Sequence, residues 1–257
     1  MMDHFSNQQT VWAYDGDRYL SLDLPPPSKE LVPGVFWGCA GDVFSPAFWK
    51  YQSHMLRSRG YGNDFQLGKT LLEEVCVCLL GGYGMPAELG LAAFKRLANK
   101  GLISSRTTIE KFESELSKPF KFGTKLRKYR FISQKSRYLH GALQAINQDN
   151  VPDCPTELRA FLTTIPGIGP KTASWIVRNH KGSDEVAILD IHIIRAGISI
   201  GLFEPNSNPT RDYFELERRF LHFCIALDEP ASLVDAMMWE YMRRIGPTAS
   251  SLPRITH

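Results

Sequence analysis

The spacing of hydrophobic positions changes near residue 42. Before it, the stretch 11–24, VWAYDGDRYLSLDL, sets Asp15-Gly16 between two aromatic and aliphatic runs, the pattern of a short β-hairpin. Pro25, Pro26 and Pro27 end that pattern and leave an extended connection to about Asp42. From Ser45 onward, apolar residues recur every three or four positions. Ser45-Pro46 is a helix cap and first position ahead of AFWKYQSHMLRSRG, closed by Gly60. Asp64 opens DFQLGKTLLEEVCVCLLGG, where Leu67, Leu71, Leu72, Val75 and Leu79 keep helical spacing and the apolar end predicts a buried helix. The turn GGYGMP follows, then helices over AELGLAAFKRLANKG and TTIEKFESELSK. Residues 133–147 gather Tyr138, Leu139, Ala142, Leu143 and Ile146 on one face; after Asp153 and Pro155, Leu158, Phe161, Leu162 and Ile165 repeat at helical intervals. Helices over 170–180, 191–200, TRDYFELERRFLHFCIAL and EPASLVDAMMWEYMRRIG complete the series, and the tail from Pro247 has no period. The expected fold is all-α behind a small β-hairpin.

Between two of these helices lies Ile165-Pro166-Gly167-Ile168-Gly169-Pro170-Lys171. Two glycines one residue apart open backbone conformations closed to other residues and leave no side chain above the turn. Pro170 suits the first position of the next helix, whose leading amides lack intrahelical partners and gain from the helix dipole. An anion such as a phosphate can sit on those amides, so Gly167 and Gly169 are candidate phosphate-binding residues. Helix, glycine turn, helix grips a DNA backbone without reading bases. A tight helical hairpin using glycine only for close packing is the plainer alternative.

A grip needs no lysine at 171. An ammonium at the positive end of a helix is destabilised relative to the neutral amine, which is how a lysine becomes a nucleophile. Lys171 and Trp175, four apart, share a face distinct from the apolar stripe of Ala173, Ile176 and Val177. Asp190 stands in AILDIHII, an apolar context in which an acid is costly unless it caps the next helix or has a chemical task. A carboxylate and an amine suit a reaction in which sugar C1′ gains positive charge as its base leaves.

Charge and composition narrow the partners. A net charge of +3 does not by itself imply nucleic acid, but the window 118–137 holds eight lysines and arginines with no acid, interleaved with Phe120, Phe122, Tyr129 and Phe131. That window is either a solvated face or a phosphate-facing surface, with Lys125 and Lys128 as candidate contacts. The five cysteines are scattered, which favours reduced core thiols over a disulfide framework, and Cys76 and Cys78, two apart in a helix, would not face one metal. The apolar run from Val75 to Leu80 is far short of the roughly 20 residues of a membrane helix, and MMDHFSNQQT lacks the order of a signal peptide. The expectation is a cytoplasmic, nucleoid-associated bacterial or archaeal protein with no membrane partner.

GIGPKTASW followed by ILDIH resembles the helix-hairpin-helix DNA glycosylases, in their lysine-bearing, bifunctional branch, and most of all those acting on 8-oxoguanine. The resemblance is clear over about residues 160–200 and weaker over roughly 64–245. It implies two helical subdomains: 45–65 with 185–257, and 66–184, which carries the helix-hairpin-helix at 158–180; 1–44 is left as a hairpin and extended arm. It also implies an enzyme that flips a modified base out of double-stranded DNA, displaces it with Lys171 and cuts the resulting Schiff-base sugar by β-elimination, with Asp190 as the essential acid. No cofactor is required; the carbonyls of Thr163, Ile165 and Ile168 would suit a structural Na+ or K+. No four-cysteine cluster follows the last helix, so iron–sulfur members are excluded as models. In the archaeal members the last helix carries an aspartate and, four residues on, a tryptophan against the flipped base; Asp235 and Trp239 stand at that spacing, beside a core tryptophan and a solvated acid as the plainer reading. Trp175 is a second stacking candidate. The turn GGYGMP lies where relatives place the residue that fills the gap in the duplex, making Tyr83 and Met85 wedge candidates. A monomer is expected. Two alternatives stand beside this reading: a glycosylase for another modified base, such as a hypermodified pyrimidine of phage DNA, and a non-catalytic module retaining only the hairpin.

Overall fold

The computed structural model describes residues 8–61, 65–82, 84–148 and 150–245; the tail from Pro247 and the wedge candidate Tyr83 lie outside them. The elements are β1 (Gln9–Tyr14), β2 (Tyr19–Leu24), β3 (Glu30–Val32), β4 (Val35–Phe36), α1 (Pro46–Ser58), α2 (Leu71–Leu80), α3 (Ala87–Asn99), α4 (Ile109–Ser117), β5 (Phe120–Phe122), β6 (Lys125–Arg127), α5 (Ile132–Gln148), α6 (Pro155–Thr163), α7 (Pro170–Lys181), α8 (Ile191–Ser199), α9 (Tyr213–Leu227) and α10 (Ala231–Ile245). The fold is helical, and among the described residues the strands form three separate two-stranded hairpins. The chain divides into two compact units, Met1–Asp64 with Asp184–His257, and Phe65–Ser183.

In the first unit β1 and β2 pair from Gln9↔Leu24 to Tyr14↔Tyr19. The connection is held by Asp15, whose Oδ1 accepts the amides of Asp17 and Arg18. Within the described part of the stretch 1–44, Leu24, Val35 and Trp37 belong to the same core as Trp49, Phe203, Phe220, Phe223 and Met238. Burying those side chains removes apolar surface that an isolated hairpin would leave wet. The stretch expected to be extended also holds the β3–β4 hairpin, turned at Gly34 (φ 78°).

In the second unit α2 begins at Leu71, later than the periodicity from Asp64 implied. Thr70 caps it by accepting the Glu73 amide, and Glu73 reaches back to the Lys69 amide at 2.6 Å. Leu67, expected on the helix's apolar face, lies outside the helix and is exposed. Its amide and that of Gly68 donate to the buried Glu74 at 2.9 and 2.8 Å. Glu74 also accepts from Asn179 Nδ2 at 2.7 Å, which ties α2 to α7. The basic window is not all helical: β5 and β6 make a hairpin turned at Gly123 (φ 59°). Phe120 is buried there under the Arg96 guanidinium, 3.5 Å from its ring centre.

Cys76, Cys78 and Cys224 are buried free thiols, whereas Cys39 and Cys154 are exposed. Among the described residues no helix is long and apolar enough to cross a membrane, and no group of three or more His, Cys, Asp or Glu could hold a metal ion.

Candidate active site

The second unit contains the glycine turn. Helix α6 ends at Thr163, and the Ile168 amide donates to the Ile165 carbonyl at 3.0 Å. With Pro166 and Gly167 in the middle and φ of 92° at Gly167, this is a type II turn. The two glycines have different reasons. A Cβ on Gly167 would overlap the ring of Tyr138 on α5, so both backbone conformation and space require glycine there. Gly169 has an ordinary φ of −86°, and a Cβ on it would meet nothing within 4 Å. The expectation that both glycines use conformations closed to other residues therefore holds for Gly167 alone. At Gly169 the missing side chain leaves the start of α7 uncovered.

Helix α7 follows with Gly169 as N-cap, no side-chain cap, Pro170 first and Lys171 second. Ala173, Ile176 and Val177 are buried, and Lys171 and Trp175 are half-buried. The Trp175 ring lies against Gly81 at the end of α2, 3.3 Å from where a Cβ would stand. The turn, Lys171 and Trp175 are thus brought together within one unit.

Beside the turn is a cavity of about 430 Å³ lined by Gly81, Phe131, Lys135, Tyr138, Gly167 and Thr172, among others. Lys135 donates to the carbonyls of Leu79 and Gly81 at 2.5 and 3.2 Å, capping α2. Burial holds its amine below the ordinary lysine range.

Met85 does not stand out as a wedge, because its amide closes a turn on the Gly82 carbonyl and its side chain is buried. Among the described residues, Phe131 is an exposed aromatic at this end, 49% exposed, with φ of 60° and its ring on Gly84. A bulky residue held in that backbone region stores strain, and strain of this kind concentrates at functional sites. Its only sequence signal is an aromatic in the basic run just before α5.

That run is less one-sided in space than in sequence. Lys118 pairs with Glu115 at 2.6 Å and Arg127 with Glu88 at 2.7 Å, acids lying outside the window. Lys125 and Lys128 are exposed, on and just after β6.

The first unit holds the other candidates. Asp190 caps α8, its Oδ1 accepting the amides of His192 and Ile193 at 2.8 and 3.2 Å. Asp235 on α10 is 2% exposed, and its Oδ2 accepts the Ile188 amide at 3.1 Å. It is therefore not a solvated acid. Trp239, one turn further, is 37% exposed, edge-on to His192 at 6.4 Å, with the Arg243 guanidinium 5.0 Å from its ring centre. It is therefore not a core tryptophan.

The family model described as 8-oxoguanine DNA glycosylase matches residues 62–229. The chain is 25% identical over 127 residues to an 8-oxoguanine DNA glycosylase/AP lyase of Fusobacterium nucleatum, a match covering 43% of this chain and 56% of that relative's length. Its fold is that of the 8-oxoguanine DNA glycosylase of Thermotoga maritima (TM-score 0.58, 21% identity, 76% of this chain and 96% of the other). It is also that of the Methanocaldococcus jannaschii 8-oxoguanine glycosylase/lyase, solved with a 15mer DNA containing 8-oxoguanine (TM-score 0.56, 24% identity, 75% and 91%).

Proposed function

Because the chain belongs to the 8-oxoguanine DNA glycosylase family, we propose that it is a bifunctional DNA glycosylase/AP lyase that extrudes and excises 8-oxoguanine from double-stranded DNA. The observation that carries this reading is Lys171 as second residue of an uncapped helix entered through the type II turn at Pro166-Gly167. A non-catalytic grip would need the turn but not an amine there.

In this reading the Lys171 nitrogen adds to C1′ as the bond to the base breaks, and the base leaves with the electron pair of that bond. The Asp190 carboxylate stabilises the positive charge on the sugar. A proton passes from the added nitrogen to the ring oxygen as the C1′–O4′ bond breaks, giving a protonated imine; loss of a C2′ proton then expels the 3′ phosphate with the C3′–O electron pair and nicks the strand. Phosphates rest on the amides around Gly167 and Gly169 and on Lys125 and Lys128. Trp239 and Trp175 offer ring faces for the extruded base, with Asp235 beside Trp239 on α10. Phe131 takes the place of the base in the stack. The carbonyls of Thr163, Ile165 and Ile168 would suit a monovalent cation as neutral oxygens at a helix end and in a turn, that of Ile165 offering its second lone pair beside the Ile168 amide it already accepts. The protein works as a monomer in the cytoplasm.

The test is a panel of duplexes, each with one lesion, scored for free base and for borohydride trapping. Release of 8-oxoguanine with a covalent complex lost in Lys171→Gln supports the reading; trapping that persists in that variant would sink the lysine assignment. Preferential release of a different modified base would replace the substrate while keeping the chemistry.

A further inference from the structure

Asp190 is delivered by a stretch with no regular structure. Residues 186–189 form neither helix nor strand, yet Val186, Ala187 and Leu189 are at most 1% exposed. A buried coil has no ladder to satisfy its amides, and an unpaired buried amide is costly. Here three successive amides are taken by three side chains. Ala187 N–H donates to Glu217 Oε1 at 2.9 Å, Ile188 N–H to Asp235 Oδ2 at 3.1 Å, and Leu189 N–H to Tyr213 Oη at 3.4 Å. The Tyr213 hydroxyl in turn donates to the Ala187 carbonyl at 2.7 Å. At the far end Asp184 accepts the Ser232 amide at 2.8 Å, fixing the start of the stretch to α10.

All three side chains are themselves buried, at 3% for Glu217, 2% for Asp235 and 4% for Tyr213. Two carboxylates in such surroundings are costly even when hydrogen-bonded. A strand, or neutral side chains, would satisfy the same amides with less desolvation. The carboxylates add charge-assisted bonds, and the Tyr213 hydroxyl accepts one amide while donating to a carbonyl two residues back, so together they fix the peptide planes up to Leu189. Beyond Leu189, the caps on His192 and Ile193 fix the Asp190 side chain from the other side.

We propose that Glu217, Tyr213 and Asp235 are positioning residues for Asp190, forming a mount that sets where its carboxylate is held. They act through the 187–189 backbone and touch no reacting atom. The inference rests on the catalytic role given to Asp190 under the proposed function.

The experiment compares Tyr213→Phe, Glu217→Ala and Glu217→Gln in wild-type and Asp190→Asn backgrounds. The readouts are the single-turnover base-release rate constant at saturating enzyme, duplex Kd, and amide exchange at Ala187 and Leu189. Tyr213→Phe keeps the ring and loses both hydroxyl bonds, so it should fold even if Glu217→Ala does not. Displacing a reacting group by about 1 Å costs roughly 100-fold in rate. Tyr213→Phe and Glu217→Ala should therefore slow base release about 10- to 100-fold with duplex Kd unchanged, and should speed exchange at 187–189. Glu217→Gln, whose amide oxygen still accepts the Ala187 N–H, should restore most of the rate. In the Asp190→Asn background the same changes should do nothing further. If wild type releases base, and Tyr213→Phe and a folded Glu217→Ala match its rate or lose equally in both backgrounds, the positioning role is overturned. If wild type releases no base from any duplex, the functional reading fails and takes this inference with it.

Discussion

Replacing Gly167 and Gly169 separately by alanine tests whether the glycine turn is built for packing, for phosphate, or for both. At Gly167 the backbone is left-handed (φ 92°), which costs a non-glycine residue roughly 1–2 kcal/mol. The new Cβ would also overlap Cγ and both Cδ atoms of Tyr138, whose hydroxyl accepts from Gln134 at 3.0 Å. Overpacking of that kind adds roughly 1–3 kcal/mol. Gly167→Ala should thus lose about 2–5 kcal/mol, lowering Tm by at least roughly 4 °C for a chain of this size. It should also weaken binding to a duplex holding a non-cleavable abasic analogue, because the turn must shift. Gly169→Ala meets neither penalty: its φ is −86° and the space around it is open. Alanine is a poorer N-cap than glycine by up to about 1 kcal/mol, so the variant's Tm should fall by no more than about 2–4 °C, while duplex Kd rises because a methyl covers the start of α7. Thermal unfolding and fluorescence anisotropy measure the two quantities independently. A Gly167→Ala protein with wild-type Tm would refute the packing argument, and a Gly169→Ala protein with wild-type Kd would remove that helix start from phosphate binding.

The other predictions are briefer. Asp190→Asn should lower base release by several orders of magnitude; near-normal single-turnover rates would remove Asp190 from the mechanism. Changing Lys125 and Lys128 together to alanine should reduce the slope of log K against log salt by roughly 1.8, at about 0.9 per phosphate contact; an unchanged slope would make them ordinary solvated surface. Phe131→Ala, which keeps the Cβ and with it the cost of the positive φ, should slow extrusion, read as fluorescence of 2-aminopurine opposite the lesion; unchanged extrusion would exclude it as the wedge. Burial, with help from Lys181, holds His180 below the ordinary imidazole range near 6.5. The folded state therefore favours its neutral form, and its stability contribution is full above about pH 6.5 and lost as pH falls through the folded-state value. His180→Gln should flatten the fall in Tm between pH 7 and 5, and an equally steep fall would place the acid sensitivity elsewhere.

Much of this protein was legible in the sequence because the signals were local. The period of apolar residues placed α5, α7 and α10, and Pro-Gly followed by Gly-Pro-Lys identified the turn and the lysine after it, since turn chemistry depends on a few adjacent residues. Asp190 before an apolar helix was readable as a cap for the same reason. What the sequence could not decide was anything set by distant residues. The Gly167 requirement comes from Tyr138, 29 positions earlier; the basic window is partly neutralised by Glu88 and Glu115 on other helices; Leu67 fits the helical period but is left outside the helix because Thr70 and Glu74 fix its start. The mount of Asp190 is the clearest case: AILD reads as a plain apolar run, and only the folded chain brings Glu217, Tyr213 and Asp235 to its three amides. A backbone amide looks the same in every sequence, and what satisfies it when buried is a choice that only tertiary structure makes.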